Sequence, residues 1–334
     1  MNNMIQSALW HPEVNKEFLF MSIQSRASIK RPLFIFDITS ILFRMYCAGV
    51  EKTSLSGLDV GGVFGVALSM RKLIRIFQPY YIAAVFDAGQ VTVRNDIDDQ
   101  YKKNRPPPPD NLRHQFDLVV ELLQSMGIKT FQQRGYEADD LMATLTRHAR
   151  MQDHPVHLIT NDKDIHQLII DDTPHVRQFS INGKDMFDEN FVHKKFGILP
   201  KQMIDYQSMV GDSVDNISGI SGIGAKTASA LLQHFGTLDD MFDNIHDAVN
   251  VPVRGAKTLV KKLEEGKENA LRARKLVKLL DDIDLKELYP NHLNESNLFD
   301  IEFLRWKGPI KEQQCFFQTM NFPDMYQDFR HLVI

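Results

Sequence analysis

Nine carboxylates stand at five places in the chain where an oxygen-rich metal site could be assembled. Asp37 and Asp87 each follow a short apolar run, Leu33–Phe36 and Tyr81–Phe86, and Asp162 with Asp164 follows a third, Val156–Thr160. Glu137, Asp139 and Asp140 open a helical pattern that continues through Leu141–His148. Three apart, Glu137 and Asp140 would share one helix face, with Asp139 reaching from its flank. Asp162 and Asp164, two apart, would point to the same side if the backbone there is extended. Asp212 and Asp215 lie in the stretch Met209–Asn216. Each acid alone has a plain reading, since acids settle helix N-termini and strand-end aspartates start turns. Gathered at one place they repel one another unless protons or cations intervene. Carboxylates without Cys or His ligands suit Mg²⁺, or Mn²⁺ in its place, rather than zinc. Two such ions a few ångströms apart can activate water and stabilise the leaving oxygen of a phosphodiester.

The elements that must position these acids are legible in outline. The three apolar runs read as buried strands, with helical patterns between them at Val63–Phe77 and Asp110–Met126. Strands alternating with helices predict a mostly parallel sheet flanked by helices. Ligands of such sheets gather beyond the carboxyl ends of the strands, where Asp37, Asp87 and Asp162 would sit. Val91–Arg113 is polar and basic, with Arg94, Lys102, Lys103, Arg105 and Arg113, and its proline run 106–109 forces extended backbone. A loop or arch over about 88–115 follows. From about Asp205 the pattern becomes glycine-punctuated helices. There Gly219–Thr227 allows a tight turn with backbone N–H groups at a helix N-terminus, and Gly222, Gly224, Lys226 and Thr227 form a candidate phosphate cradle. The next helix is amphipathic through Ala228, Leu231, Leu232 and Phe235, and Gly236 stops it. The expected division is an extension over 1–30, an α/β domain over 31–204, a helical module over 205–285 and a C-terminal segment, 286–334, packing back on the α/β domain.

The chain has 334 residues and a formal net charge of −4. With the nine acids set aside, the remainder stands at +5, compatible with a basic surface around an acidic site. Two cysteines, Cys47 and Cys315, make neither a disulfide framework nor a zinc pattern, which favours a reducing cytoplasm. No apolar run approaches the length of a membrane span, and Glu13 and Glu17 argue against a transit peptide.

Gly211–Ile217 followed by Gly222–Ala228 resembles the helix-three-turn-helix signature of the 5′-nuclease domain of bacterial DNA polymerase I, and of the stand-alone flap endonucleases of phages and bacteria. Val85–Asp87, Tyr101–Pro107, Glu137–Asp140 and Thr160–Asp164 agree with that family's other blocks in order. The resemblance covers roughly residues 32–285 and implies a PIN-like α/β fold with a helical arch and a helix-hairpin-helix module. It implies that Asp37, Asp87, Glu137 and Asp139, with Asp140 nearby, serve one metal ion, and that Asp162, Asp164, Asp212 and Asp215 serve a second. Lys102 and Arg105 would contact the scissile phosphate, and Arg94 matches a basic arch residue that binds DNA. Gly222, Gly224, Lys226 and Thr227 would hold duplex backbone, with K⁺ at the hairpin. The implied protein is a stand-alone, monomeric 5′-3′ exonuclease and flap endonuclease acting on DNA with a 5′ flap, nick or 5′ end. A DNA-structure-binding protein with weak catalysis and an RNase H-like primer remover acting on RNA–DNA hybrid are the alternatives. Ile38, Asn161 and Ser218 depart from the family pattern, and none of these changes removes a charge.

Overall fold

Short, unbroken apolar runs are what a parallel strand covered on both faces requires. In the computed structural model, which describes residues 30–89, 91–289, 291–293 and 298–333, the three expected runs form β1 (Leu33–Asp37), β2 (Tyr81–Val85) and β4 (Val156–Ile159), each buried along its length. Lys129–Phe131 forms β3, Val176–Phe179 β5 and Met186–Phe187 β6. The sheet order is β3-β2-β1-β4-β5-β6, parallel throughout except for β6. Leu33 pairs with both Tyr81 and Val156, so the carboxyl ends of β2, β1 and β4 finish nearly level. The two faces alternate by residue, as the pleat demands. Phe34, Phe36, Ile82 and Ala84 face one core, while Leu33, Ile35, Ala83 and Val85 face the other.

Helices α1 (Ile38–Cys47), α2 (Gly61–Phe77), a single turn α3 (Arg94–Ile97) and α4 (Asp110–Ser125) precede β3. The stretch read as an arch is largely irregular, with α3 its one helix among the described residues 91–109. α1, α2 and α4 fill the first core together with Phe317, Tyr326 and Phe329 from the C-terminal stretch. Helix α5 (Ala138–Arg150) covers the second core with Leu285, Phe299 and Leu304. Trp306 anchors this return, its backbone N–H donating to Tyr80 O at 2.9 Å and its indole N–H to Met126 O at 2.8 Å.

A third core belongs to the helical unit: α6 (Glu189–Phe196), α7 (Met203–Val210), α8 (Ala225–Phe235), α9 (Leu238–Asp243) and α10 (Leu259–Val277). Val192, Ile198 and Met203 pack with Leu231, Leu232 and Leu263, so this unit draws in side chains well upstream of Asp205. The apolar face of α6 has its partners there. Gly236 ends α8 at φ 86°, a left-handed conformation that glycine adopts without penalty. A two-stranded hairpin, β7 (Gly211–Asp212) with β8 (Ile217–Ser218), links α7 to the turn before α8. Pro32 onward forms one compact unit, and the extension read over 1–30 lies, but for Lys30, outside the described residues. No helix among the described residues is long and apolar enough to cross a membrane.

His157 on β4 is buried among the rings of Phe34 and Phe179. Burial, reinforced by His175 and Arg177, pushes its pKa from the ordinary 6.5 to about 3. The unfolded chain therefore takes up the proton first, so the stability tied to the neutral ring is intact above pH 6.5 and is lost as pH falls toward 3. His157→Phe should remove about 2 kcal/mol of the stability difference between pH 6.5 and pH 5. Denaturant titrations at the two pH values measure it; an unchanged difference would assign the acid sensitivity to another group.

Candidate metal centre

Asp37 closes β1 and caps α1. Its carboxylate accepts from Ser40 N at 2.9 Å, Ser40 Oγ at 2.6 Å and Thr160 Oγ1 at 2.8 Å. Asp87, two residues beyond β2, accepts the N–H of Ala138 at 2.8 Å and thereby holds the first turn of α5 against the sheet edge. That turn presents Asp139, whose carboxyl feels the charges of Asp162, Asp37, Asp164 and Asp87. Five acids from four segments thus meet beyond the carboxyl ends of β2, β1 and β4. Burial and then the Asp162 charge raise Asp139 well above the usual carboxylate range. Burial likewise lifts Asp37 to about 6 and, with Asp162, Asp164 to about 7. Burial also raises Asp87.

The β7–β8 hairpin brings the remaining pair. Gly211, at φ 76°, lies so close to Ile217 O that a side chain could not fit. This tight crossing carries Asp212 and Asp215 to Asp164, and each of the three offers an oxygen within 4.8 Å of the others. They line a cleft of about 370 Å³ with Asp162, Lys163 and Arg105. A larger cavity, about 570 Å³, lies in the helical unit beside His193 and Asp205 and is not lined by these acids.

Cations of the chain balance part of this charge. Lys102 Nζ is 2.7 Å from Glu137 Oε2 and 3.7 Å from Asp215 Oδ2, Arg105 pairs with Asp215, and Lys163 Nζ lies 2.7 Å from Asp212 Oδ2. Burial opposes the charge on Lys102, yet Glu137 and Asp215 outweigh it and hold its pKa above the usual lysine value. Burial also works to raise Asp212, but Lys163 prevails and its pKa is lowered. Lys102 itself sits at φ 55°, a left-handed conformation uncommon for lysine, held by its N–H donating to Asp215 O at 2.9 Å.

Three sequence expectations are corrected. Asp140 does not join the cluster. As the third residue of α5 it turns back to accept the N–H of Glu137, the reciprocal half of a capping box, and both its oxygens are taken by Arg94 at 2.7 Å. Arg94 is accordingly buried rather than facing DNA. The backbone after Asp162 is not extended either: Asp164 opens a 3₁₀ turn, its N–H donating to Asp162 Oδ1 at 2.9 Å. Gly222 and Gly224 lie on the turn before α8 and Lys226 and Thr227 in its first turn, and none of the four lines the acidic cleft; Gly222, Gly224 and Lys226 are exposed, and Lys262 Nζ is 3.3 Å from Gly222 O. Lys163, Tyr101 and Gln207 were missed by sequence reasoning. Lys163 lies between two of the acids, which is a signal, whereas Tyr101, donating to Glu137 Oε2 at 3.2 Å, and Gln207, donating to Asp164, carry none. A donor set of carboxylates alone, buried and brought close together, fits hard divalent cations such as Mg²⁺.

Known proteins share this fold. Residues 32–197 match the 5′-3′ exonuclease N-terminal resolvase-like domain, and residues 198–297 match the 5′-3′ exonuclease C-terminal SAM fold. The chain is 33% identical over 279 residues to a 5′-3′ exonuclease of Buchnera aphidicola subsp. Acyrthosiphon pisum, covering 81% of this chain and 95% of that protein. It is 34% identical over 284 residues to DNA polymerase I of Pseudomonas aeruginosa, covering 82% of this chain but 31% of the polymerase. In fold it is similar to zinc-bound T5 5′-exonuclease, with a TM-score of 0.63 at 24% identity over 75% of this chain and 90% of that one. It is also similar to the catalytic core of Rad2 in complex with DNA substrate, with a TM-score of 0.55 at 16% identity over 92% and 93%.

Because Asp139 sits among four other acids, Asp139→Asn should stabilise the metal-free protein. The expected gain is on the order of 1 kcal/mol, about 2 °C in Tm for a chain of this size. The same change should shrink the Tm rise produced by Mn²⁺, since binding to the folded state alone is what raises it. Thermal unfolding in chelator and in Mn²⁺ reads both effects; an Asn variant no more stable than the parent in chelator contradicts the repulsion.

Proposed function

The chain belongs to the 5′-3′ exonuclease family, and from that premise we propose that it is a structure-specific 5′-nuclease hydrolysing DNA phosphodiesters beside 5′ ends, nicks and flap branch points. The products are a 5′-phosphate and a free 3′-hydroxyl, and the role is primer removal or repair. What carries the reading is the convergence of Asp37, Asp87, Asp139, Asp162 and Asp164 on one sheet edge, with Asp212 and Asp215 closing the cleft beside Lys102 and Arg105.

Asp37, Asp87, Glu137 and Asp139 would hold one Mg²⁺ and Asp162, Asp164, Asp212 and Asp215 a second, with Mn²⁺ able to substitute. Bound there, such ions supply an activated water and a counter-charge for the leaving oxygen. Ser40 and Thr160 orient Asp37, and Ala138 N orients Asp87, so their oxygens are aimed before any ligand arrives. Lys102 and Arg105 reach the cleft wall at Asp215, where a seated phosphate meets two cations that offset its developing charge. The exposed turn of Gly222, Gly224, Lys226 and Thr227, together with Lys262, presents N–H groups and ammonium charge to a duplex backbone, with K⁺ a candidate ligand of the same turn. Contacts of that kind position a duplex without reading bases. RNA–DNA hybrid ends fit the same cleft chemistry, and the protein acts as a monomer in the cytoplasm.

Cleavage of labelled 5′-flap, gapped, nicked and blunt substrates with and without Mg²⁺ tests the reading; an intact flap that still shifts on a gel would leave a binding protein in its place. Asp162→Ala should abolish cleavage and spare duplex binding, because it removes a metal ligand and not a phosphate contact. Lys102→Ala should slow single-turnover cleavage about 10²–10³-fold. A wild-type rate in either variant removes that residue from the mechanism.

A further inference from the structure

Arg94 is 2% exposed, so it has no access to a DNA backbone. Its guanidinium donates to both oxygens of Asp140 at 2.7 Å, to the carbonyl of Leu276 at 2.7 Å and to that of Lys278 at 3.2 Å. Asp140 in turn accepts the N–H groups of Leu280 at 2.9 Å and Glu137 at 3.1 Å. One buried pair therefore joins three pieces of chain: the start of the segment that carries Lys102 and Arg105, the first turn of α5 with Glu137 and Asp139, and the end of α10.

A second peg stands seven residues on. The ring of Tyr101 packs with Ile217, Ala273, Leu276 and Val277, and its hydroxyl reaches Glu137. Asn216 Nδ2 donates to Gln100 O at 2.7 Å and Lys102 N to Asp215 O at 2.9 Å, so the chain on either side of the second peg is docked on the β7–β8 hairpin. Burying an ion pair seldom gains stability over an apolar pair of the same volume. What a bidentate guanidinium adds is fixed geometry across several acceptors.

We propose that the Arg94–Asp140 pair is a positioning clamp that sets Lys102 and Arg105 against the carboxylate cleft and ties their placement to the end of α10, the last long helix of the helical unit. It makes Arg94 a positioning residue rather than a DNA contact. The inference rests on the reading of Lys102 as the phosphate-facing cation.

The test compares single-turnover cleavage of a 5′-flap substrate, duplex binding in Ca²⁺ and thermal unfolding for the R94M/D140L double variant and for R94K, each with and without K102A. R94M/D140L removes both charges together, so no lone buried ion is left. It should unfold within a few degrees of the parent and bind duplex within about threefold, yet cleave about 100-fold more slowly, the scale of a small misplacement of catalytic groups. R94K keeps the charge, loses the two-pronged geometry, and should be about 10-fold slow. In the K102A background neither change should slow cleavage further by more than about threefold, since the clamp acts through Lys102. That loss of additivity is something a general weakening of the fold would not produce. A folded R94M/D140L protein cleaving at the parent rate overturns the clamp, as do effects that multiply with K102A. If the double variant does not fold, R94K decides, and a parent-like rate in R94K overturns it equally. K102A alone at the parent rate would instead defeat the role given to Lys102.

Discussion

Like charge crowded at the edge of a sheet is the constraint on which the rest of the molecule depends. Carboxylates that touch will separate, take up protons or recruit cations unless something rigid holds them. Burial above all, with the charges of neighbouring acids added to it, raises the pKa values of Asp37, Asp87, Asp139 and Asp164. The displacement of Asp37 from 3.8 to about 6 corresponds to roughly 3 kcal/mol. Full burial of one Leu, Ile or Phe contributes about 1.5–3 kcal/mol. Leu33, Ile35 and Phe36 are all fully buried on the strand that bears Asp37. The apolar run before Asp37 is therefore large enough to outweigh the cost of burying that carboxylate.

The charges brought in to balance the acids are arranged by distant parts of the chain. Lys102 and Arg105 come from the irregular stretch after β2, and Lys163 from the turn after β4. The hairpin that carries Asp212 and Asp215 is also the surface on which the Lys102 stretch docks, through Asp215 O, Ser213 O and Asn216. Moving the hairpin would thus shift acids and bases together, preserving their mutual distances better than two independent loops could. The left-handed backbone at Lys102 is the local cost of that docking, and the contacts around it make the conformation stable.

The three central strands, their following acids, the helix stopped by Gly236 and the hairpin turn were all readable because each is signalled by residues adjacent in sequence. β5 was not: its Val-Arg-Gln-Phe alternates polar with apolar and is held by pairing with β4 and by Gln178 bonding to Thr160 O and Asp162 O. Asp140 was misplaced for a related reason. Helical spacing puts it on the face of Glu137, but a residue at the third position of a helix can instead close a capping box. Nothing near it in sequence announces that Arg94, 46 residues earlier, lies beneath it. Arg94 likewise looks like a surface cation among polar neighbours until Leu276, Lys278 and Asp140 enclose it. Side chains that serve the site by holding its parts in place leave little periodic trace, since their partners come from other elements.

The division of charge also explains how an acidic protein can approach an acidic polymer. A cluster of negative charge sits in a half-buried cleft, partly neutralised by Lys102, Arg105 and Lys163 and available to divalent cations, while Lys226 in the first turn of α8 and Lys262 on α10 flank the exposed turn at Gly222. Screening over about 8–10 Å at ordinary ionic strength makes a charge respond mainly to its near neighbours. Net charge is then a poor guide to the partner, and the local sign at each contact decides. On the proposed function, recognition through backbone groups at one place and chemistry at another would make the separation between turn and cleft, rather than any base sequence, the quantity that selects where a strand is cut.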